Sequence, residues 1–318
     1  MRKFKVVFCG TPDFSLPSLE LLFNHPLIDI VGVVTMPDRP AGRGKTLQSP
    51  PVAEFAKAHK LSLIQTENIN QEDAFLADMT KQGVDFFIVL AFAQFLSNKI
   101  LDLPKLGCFN IHTSQLPRHR GAAPIQYALL SGDQESGVSI QKMVKKMDAG
   151  DVAINHPVPV HEYETGGLLY TRLKFACSEA LVELIDNLST NSVKFTPQDE
   201  SLVTFAPTLS RDDGKIDFQN QTAQEIERKS RALFPWPGTW TILNGKRLKV
   251  LSLSLSTLKA NPGEVNLNQG TLVVGCKTGS VRLDSIQLEG KKSCTDSDYL
   301  NGLKSSGNKF ELIFGEKI

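Results

Sequence analysis

The chain has 318 residues, 41% of them hydrophobic and 22% charged, and its formal net charge is +1. That composition excludes a disordered or collagen-like chain, and the length predicts about two domains. The charge is uneven: residues 1–208 hold 19 Lys and Arg against 22 Asp and Glu, whereas residues 209–318 hold 16 against 12. The C-terminal surplus suits a polyanionic partner, although chance scatter over a solvated surface would produce it equally well. The 5 cysteines, at positions 9, 108, 177, 276 and 294, are odd in number and lack metal-ligand spacing. Reduced thiols in a cytoplasmic protein are therefore expected. The apolar run after Met1-Arg2-Lys3-Phe4 stops at Gly10-Thr11-Pro12-Asp13, short of the roughly 7–15 residues of a signal core. The longest apolar run, from Phe86 to Ala93, is far below the ~20 residues that span a bilayer, so no membrane segment is expected.

The first strand is predicted at residues 4–9. Residues 15–24 read as a helix with Leu16, Leu19, Leu22 and Phe23 on one face. A strand (28–35), a helix (52–59), a short strand (63–65) and a helix (71–82) follow. Residues 85–92 are so apolar that a strand buried on both faces is predicted. A strand at 107–112 leads to a helix at 125–131, and 138–143 and 152–156 read as sheet additions. This alternation predicts an α/β domain, a doubly wound and mostly parallel sheet whose ligands bind at the carboxyl ends of strands. The clearest helix is 165–188, where Leu169, Leu173, Cys177, Leu181, Leu184 and Leu188 recur at three and four behind a capping Thr165. Residues 190–207 are polar and irregular and read as a linker. A helix at 223–233 opens a second domain. Short β-like runs follow at 239–243, 248–255, 263–265, 271–274, 281–287 and 309–312, separated by turns such as Asn244-Gly245 and Asn261-Pro262-Gly263. They predict a small OB-like β-barrel. The expected division is 1–189, a linker 190–208, and 209–318.

Few residues are placed to do chemistry. The first strand–helix turn, Gly10-Thr11-Pro12-Asp13, has one glycine where a dinucleotide site wants three, and Pro12 removes a backbone donor. The strand ending Asn110-Ile111-His112 puts an amide and an imidazole on one face. There they either polarise a carbonyl and manage a proton or satisfy loop backbone groups. Asp148, in Met147-Asp148-Ala149-Gly150-Asp151, either orients His112 and takes a proton or makes an Asx-turn. Residues 37–46 form a basic, glycine-rich loop carrying Arg39, Arg43 and Lys45, either a solvated connection or a contact to phosphates. A nucleophile elbow and a zinc motif are both absent from the sequence, so covalent and metal mechanisms lack their parts.

Together these segments, with Ser114-Gln115-Leu116-Pro117, Arg120-Gly121-Ala122-Ala123-Pro124 and Phe234-Pro235-Trp236-Pro237-Gly238, resemble the methionyl-tRNA formyltransferase family along essentially the whole chain. The resemblance implies 10-formyltetrahydrofolate as formyl donor and methionyl initiator tRNA as acceptor. It also implies a monomeric enzyme with no metal. Asn110, His112 and Asp148 match the family's catalytic trio. Ser114, Gln115, Leu116 and Pro117 match its folate-binding loop, and Arg39, Arg43 and Lys45 its tRNA-binding loop. The sequence departs from the family at Phe92-Ala93, where Tyr-Gly is usual, at Ser97, where Pro is usual, and at Gln115, where Leu is usual. Two other readings stay open. One is a formyltransferase or hydrolase of the same core acting on glycinamide ribonucleotide, an amino sugar nucleotide or water. The other is a non-catalytic tRNA-binding protein. The roughly 110 residues after the N-terminal part argue against the first, and the intact trio against the second.

Overall fold

Strands β1 (Phe4–Gly10) and β2 (Ile28–Thr35) pair in parallel, joined through helix α1 (Leu16–Asn24). A short hairpin follows, β3 (Arg39–Ala41) with β4 (Thr46–Gln48), and then α2 (Pro51–Ala58), β5 (Leu63–Gln65), α3 (Asp73–Gln82) and β6 (Phe86–Leu90). Beyond these lie α4 (Asn98–Leu101), β7 (Gly107–His112), β8 (Arg120–Gly121), α5 (Pro124–Ser131), β9 (Glu135–Lys142), β10 (Val152–Pro159), α6 (Gly166–Ser189) and β11 (Phe205–Ala206). The computed structural model describes residues 2–41, 46–267, 270–305 and 312–314. They fall into two units, one of residues 1–124, 135–159 and 170–206, the other of 125–134, 160–169 and 207–318.

In the first unit seven strands form one sheet in the order β10-β9-β7-β6-β1-β2-β5. β5, β2, β1, β6 and β7 are parallel, and β9 runs antiparallel to both β7 and β10. Every residue of β6 is buried, as its unbroken apolar composition requires of a strand covered on both faces. The strand order reverses at β1, because the chain runs outward to β5 and then returns to β6. Such reversals leave a crevice at the carboxyl ends. Gly10 serves close packing there, since a Cβ would lie 2.9 Å from Ser15 Oγ and 3.0 Å from the Leu90 carbonyl. Ser15 Oγ donates to that carbonyl at 2.8 Å and ties the β1 turn to the end of β6.

Three local features differ from the sequence expectation. β6 stops at Leu90, because Ala91 and Ala93 take left-handed backbone angles of +50° and +60°. Phe92 still enters the core, so the apolar run is part strand and part buried loop, which periodicity does not separate. The segment 190–207 is paired at two places. Thr196 and Val152 exchange two 2.9 Å backbone bonds, and β11 runs parallel to β8. Finally, part of the loop 37–46 is regular, with Pro40 opposite Leu47. A two-stranded ladder leaves an edge free, where a missing N–H is tolerated.

The second unit contains α7 (Ala223–Ala232), β12 (Thr239–Leu243), β13 (Lys246–Ser256), β14 (Val265–Asn266), β15 (Val273–Gly275), β16 (Ser280–Leu288), β17 (Cys294–Thr295) and α8 (Asp296–Ser305). Thr222 and Glu225 form a reciprocal capping box at α7. The strands pair antiparallel in the order β12-β13-β16-β15-β14, with β17 also on β16. Part of the run expected at 309–312 lies outside the described residues, and Phe314 pairs with Leu243. Helix α8 is an addition to the expected elements, and its Leu300 joins the core of this unit.

Asp296 anchors that core. It is fully buried. Its carboxylate accepts from Arg282 Nε and Nη2 (2.8 and 3.0 Å) and from the backbone of Leu272 and Ser297 (3.1 and 2.7 Å). Burial pushes its pKa up, but these bonds outweigh it and hold the carboxyl below its ordinary value. A depressed carboxyl stabilises fully above its unfolded pKa of about 3.9 and loses that contribution as pH falls through the folded value. Asp296→Asn should therefore lower stability on the order of 1–3 kcal/mol near neutrality. The gap to wild type should narrow below pH of about 4. Both tryptophans, Trp236 and Trp240, lie in this unit, so urea unfolding followed by their fluorescence across pH measures the gap. A gap that does not change with pH would contradict the assignment.

Candidate active site

Residues 110 and 112 share one side of β7, and both side chains meet Asp148. Asn110 Nδ2 donates to Asp148 Oδ1 at 3.3 Å. His112 Nδ1 lies 3.8 Å from Asp148 Oδ2, too far for a hydrogen bond. His112 Nε2 is 2.9 Å from the His119 carbonyl. A carbonyl only accepts, so Nε2 carries a proton. Two further donors reach Asp148: Gln141 Nε2 at 3.0 Å on Oδ1 and the Gly121 N–H at 2.9 Å on Oδ2.

These partners are set by register. Gln141 on β9 stands directly opposite Asn110 on β7. Its other amide atom, Oε1, accepts from the Gly150 N–H at 2.9 Å. Gly150 is obligatory, because a Cβ would come within 1.7 Å of the Lys142 carbonyl. Asp148 itself is left-handed, with φ of +51°. The turn thus turns Asp148 toward β7, and its other acid, Asp151, is exposed.

The loop after β7 is fastened to β9. Ser139 Oγ donates to the Ser114 carbonyl (2.8 Å) and accepts from the Leu116 N–H (3.0 Å). Ser114 Oγ donates to the Arg118 carbonyl at 2.6 Å. Gln115 Nε2 donates to the Ser136 carbonyl at 3.0 Å and to the Glu135 carboxylate. Leu116 is buried and Pro117 half-buried. Arg39 sits apart from the trio in the β3–β4 hairpin, 3.5 Å from Glu67, with both side chains exposed. Arg43 and Lys45 lie outside the described residues.

Asp13, in the first strand–helix turn, is structural. It accepts from Lys174 Nζ (2.8 Å) and Tyr170 Oη (2.9 Å), and Lys174 is the main cause of its lowered pKa. Gln141, Gly121, Arg120 and Gln198 also hold the Asp148 turn, and none of them is a site residue on the sequence alone. Only the Gly121 and Gly150 positions carried a local signal.

Residues 3–185 match the family model "Formyl transferase" and residues 208–304 match "Formyl transferase, C-terminal domain". The chain belongs to the formyl transferase family. Its relatives include methionyl-tRNA formyltransferases from Pseudomonas entomophila and Streptococcus thermophilus. The first is 40% identical, over 93% of this chain and 95% of that one. The second is 37% identical, over 98% and 99%. Among solved structures, the sugar 3N-formyl transferase WlaRD superposes with a TM-score of 0.65 at 18% identity, over 92% of this chain and 100% of that one. HypX from Aquifex aeolicus in complex with tetrahydrofolic acid gives 0.59 at 16%, over 97% of this chain and 50% of that one. At those identities the structures speak for the fold alone.

Ala93 stands where the family resemblance places glycine, and its φ is +60°. The loop around it is held by Gln94, which donates to the Thr66 carbonyl (2.7 Å) and accepts from the Ile69 N–H (2.8 Å). A left-handed L residue is strained by roughly 1–2 kcal/mol, whereas Ala→Gly at an ordinary position loses about 0.4–1 kcal/mol through the unfolded chain. Ala93→Gly should therefore leave stability unchanged or raise it by up to about 1 kcal/mol. Chemical denaturation of the two proteins decides it, and a clear loss would mean that the backbone here is unstrained.

Proposed function

We propose that this chain transfers the formyl group of 10-formyltetrahydrofolate to the α-amino group of methionine on charged initiator tRNA. The observation that carries the reading is the convergence of Asn110, His112 and Asp148 at the carboxyl end of β7, in a chain whose full-length relatives bear that activity's name. On this reading residues 1–189 are catalytic, 190–208 connect, and 209–318 bind tRNA. We place the enzyme in the cytoplasm as a monomer.

The donor set fits a formyl group. Asn110 Nδ2 has two N–H bonds, and the one given to Asp148 leaves the other for a carbonyl oxygen. 10-Formyltetrahydrofolate, when bound beside Ser114, Gln115, Leu116 and Pro117, supplies the formyl carbon and a departing N10. Asn110 and the Nε2–H of His112 stabilise the formyl oxygen as charge builds on it, His112 exchanging the His119 carbonyl for that oxygen. Such bonds tighten only in the reacting complex. Asp148 takes the proton that the attacking amine loses as its new C–N bond forms, and that proton goes to N10 as the old bond breaks. Removing one preorganised donor commonly lowers kcat by ~10²–10³. Asn110→Ala, His112→Ala and Asp148→Asn should each reduce formyl transfer to charged initiator tRNA by at least ~100-fold with the fold retained. A folded Asp148→Asn protein with near-normal turnover would sink the assignment of that residue.

The second unit offers a basic strand for phosphates. Arg247 stacks over the Trp240 ring, 3.9 Å from its centroid. With Lys249 it borders a surface depression of about 220 Å³ that Glu289 also lines. Each phosphate contact contributes about one to the slope of log affinity against log salt. Arg247→Gln and Lys249→Gln should each lower that slope by about one, and they should weaken initiator and elongator tRNA alike. Binding measured over a potassium chloride series tests this. An unchanged slope in both variants would place the tRNA contact elsewhere.

A further inference from the structure

We propose that Gln198, oriented by Arg120, is a positioning residue for Asp148, so that the segment following α6 belongs to the catalytic assembly. The inference rests on the formyl-transfer reading, and it starts from a strained backbone. Asp148 is an L residue in the left-handed region, a conformation that persists only where neighbours hold it. Gln141 holds the side chain of Asp148 from β9. Gln198 holds the main chain, because its Nε2 donates to the Asp148 carbonyl at 2.9 Å and to the Gly150 carbonyl at 2.7 Å.

The orientation of that amide is fixed from its far end. Gln198 Oε1 accepts from Arg120 Nε (3.1 Å) and Nη2 (2.8 Å). A guanidinium only donates and a carbonyl only accepts, so a flipped amide would lose all four bonds. Arg120 is 1% exposed and donates through Nη2 to Glu200 at 2.9 Å, and Glu200 also accepts from Lys146 at 2.8 Å. Hydrogen bonding to Arg120 foremost, then to Lys146, holds the Glu200 carboxyl down at about 2. Lys146 lies two residues before Asp148, so these contacts close a ring: Lys146, Glu200, Arg120, Gln198, and the Asp148 turn again.

The same segment holds the donor to the Asp148 carboxylate. The Arg120 N–H donates to the Thr204 carbonyl at 2.9 Å, the Ala123 N–H to the Ala206 carbonyl at 3.1 Å, and β11 pairs with β8. Between them sits Gly121, whose N–H reaches Asp148 Oδ2. A Cβ at Gly121 would lie 2.5 Å from the Ala206 carbonyl. Residues 196–206 therefore fix Asp148 twice, by its backbone through Gln198 and by its carboxylate through β11 and Gly121. Loosening this hold displaces a proton-handling group and leaves the substrate contacts alone, so it acts on kcat.

One variant of the full chain tests this. Gln198→Met keeps the size and removes the amide. The first readout, amide hydrogen exchange at Gly121 and Gly150 without substrates, should be ~10-fold or more faster in Gln198→Met. Unchanged protection at both glycines overturns the proposal. The second readout is formyl transfer, where kcat should fall roughly 10–100-fold with KM for either substrate within about twofold. In an Asp148→Asn background, Gln198→Met should add less than about threefold, because groups acting as a unit are not additive. A multiplicative loss in the double variant, or a loss carried by KM, overturns the positioning role. Should Gln198→Met not fold, Arg120→Lys keeps the charge but loses the two-bond grip on Oε1, and the same signature is expected. A wild-type chain unable to formylate charged initiator tRNA would instead refute the function proposed above, and the exchange readout would still decide the clamp.

Discussion

The arrangement of the first unit turns on one carboxylate held in a strained turn. Asp148 sits in a left-handed conformation, a strain of order 1–3 kcal/mol, and receives N–H donors from Asn110, Gln141 and Gly121. Hydrogen bonds to a charged group are each worth about 1.5–3 kcal/mol, so the donors outweigh the strain. Each donor comes from a different place in the chain: β7, β9, and the β8 turn. The turn can exist only because Gly150 lets the Lys142 carbonyl approach and Gly121 lets the Ala206 carbonyl approach. Side chains at those two glycines would push the turn off the end of the sheet.

This explains why the sheet carries an antiparallel addition. A purely parallel sheet would end at β7, with Asn110 and His112 at an edge. β9 runs back along β7 and places Gln141 opposite Asn110. The chain then reverses through the Asp148 turn into β10. The hairpin between β9 and β10 is thereby a device for bringing a carboxylate to the carboxyl end of β7, and Ser139, also on β9, fixes the loop that follows His112.

The sequence carried the strands and long helices well, since those depend on local periodicity. The predicted limits at 28–35, 63–65 and 107–112 coincide with β2, β5 and β7. Asn110 and His112 were legible as a pair because period two is a local rule. Gln141 and Gln198 were illegible, because their roles depend on which residue a distant strand or segment faces. A glutamine in a polar stretch such as Thr196-Pro197-Gln198-Asp199-Glu200 looks solvated until the pairing of Thr196 with Val152 is known. The end of β6 was misjudged for the opposite reason. Ala91-Phe92-Ala93 stays apolar because Phe92 is buried, while the backbone has already left the strand. Helix α8 escaped because its start, Asp296, is polar for the sake of Arg282 and a buried backbone group, and its apolar positions are few.

The chemistry itself sees little of the acceptor. An amide, an imidazole and a carboxylate can recognise a formyl oxygen and an attacking amine, and nothing in their geometry distinguishes a charged tRNA from an amino sugar. Acceptor choice must then come from groups that touch the acceptor far from its amine. For a tRNA those contacts are mostly to phosphates, which call for dispersed cations rather than a shaped pocket. On the function proposed above, the basic surplus of residues 209–318 and the cations Arg39, Arg43 and Lys45 would be contacts of that kind. The reaction was therefore legible in a few residues, while the acceptor required the resemblance of the whole chain.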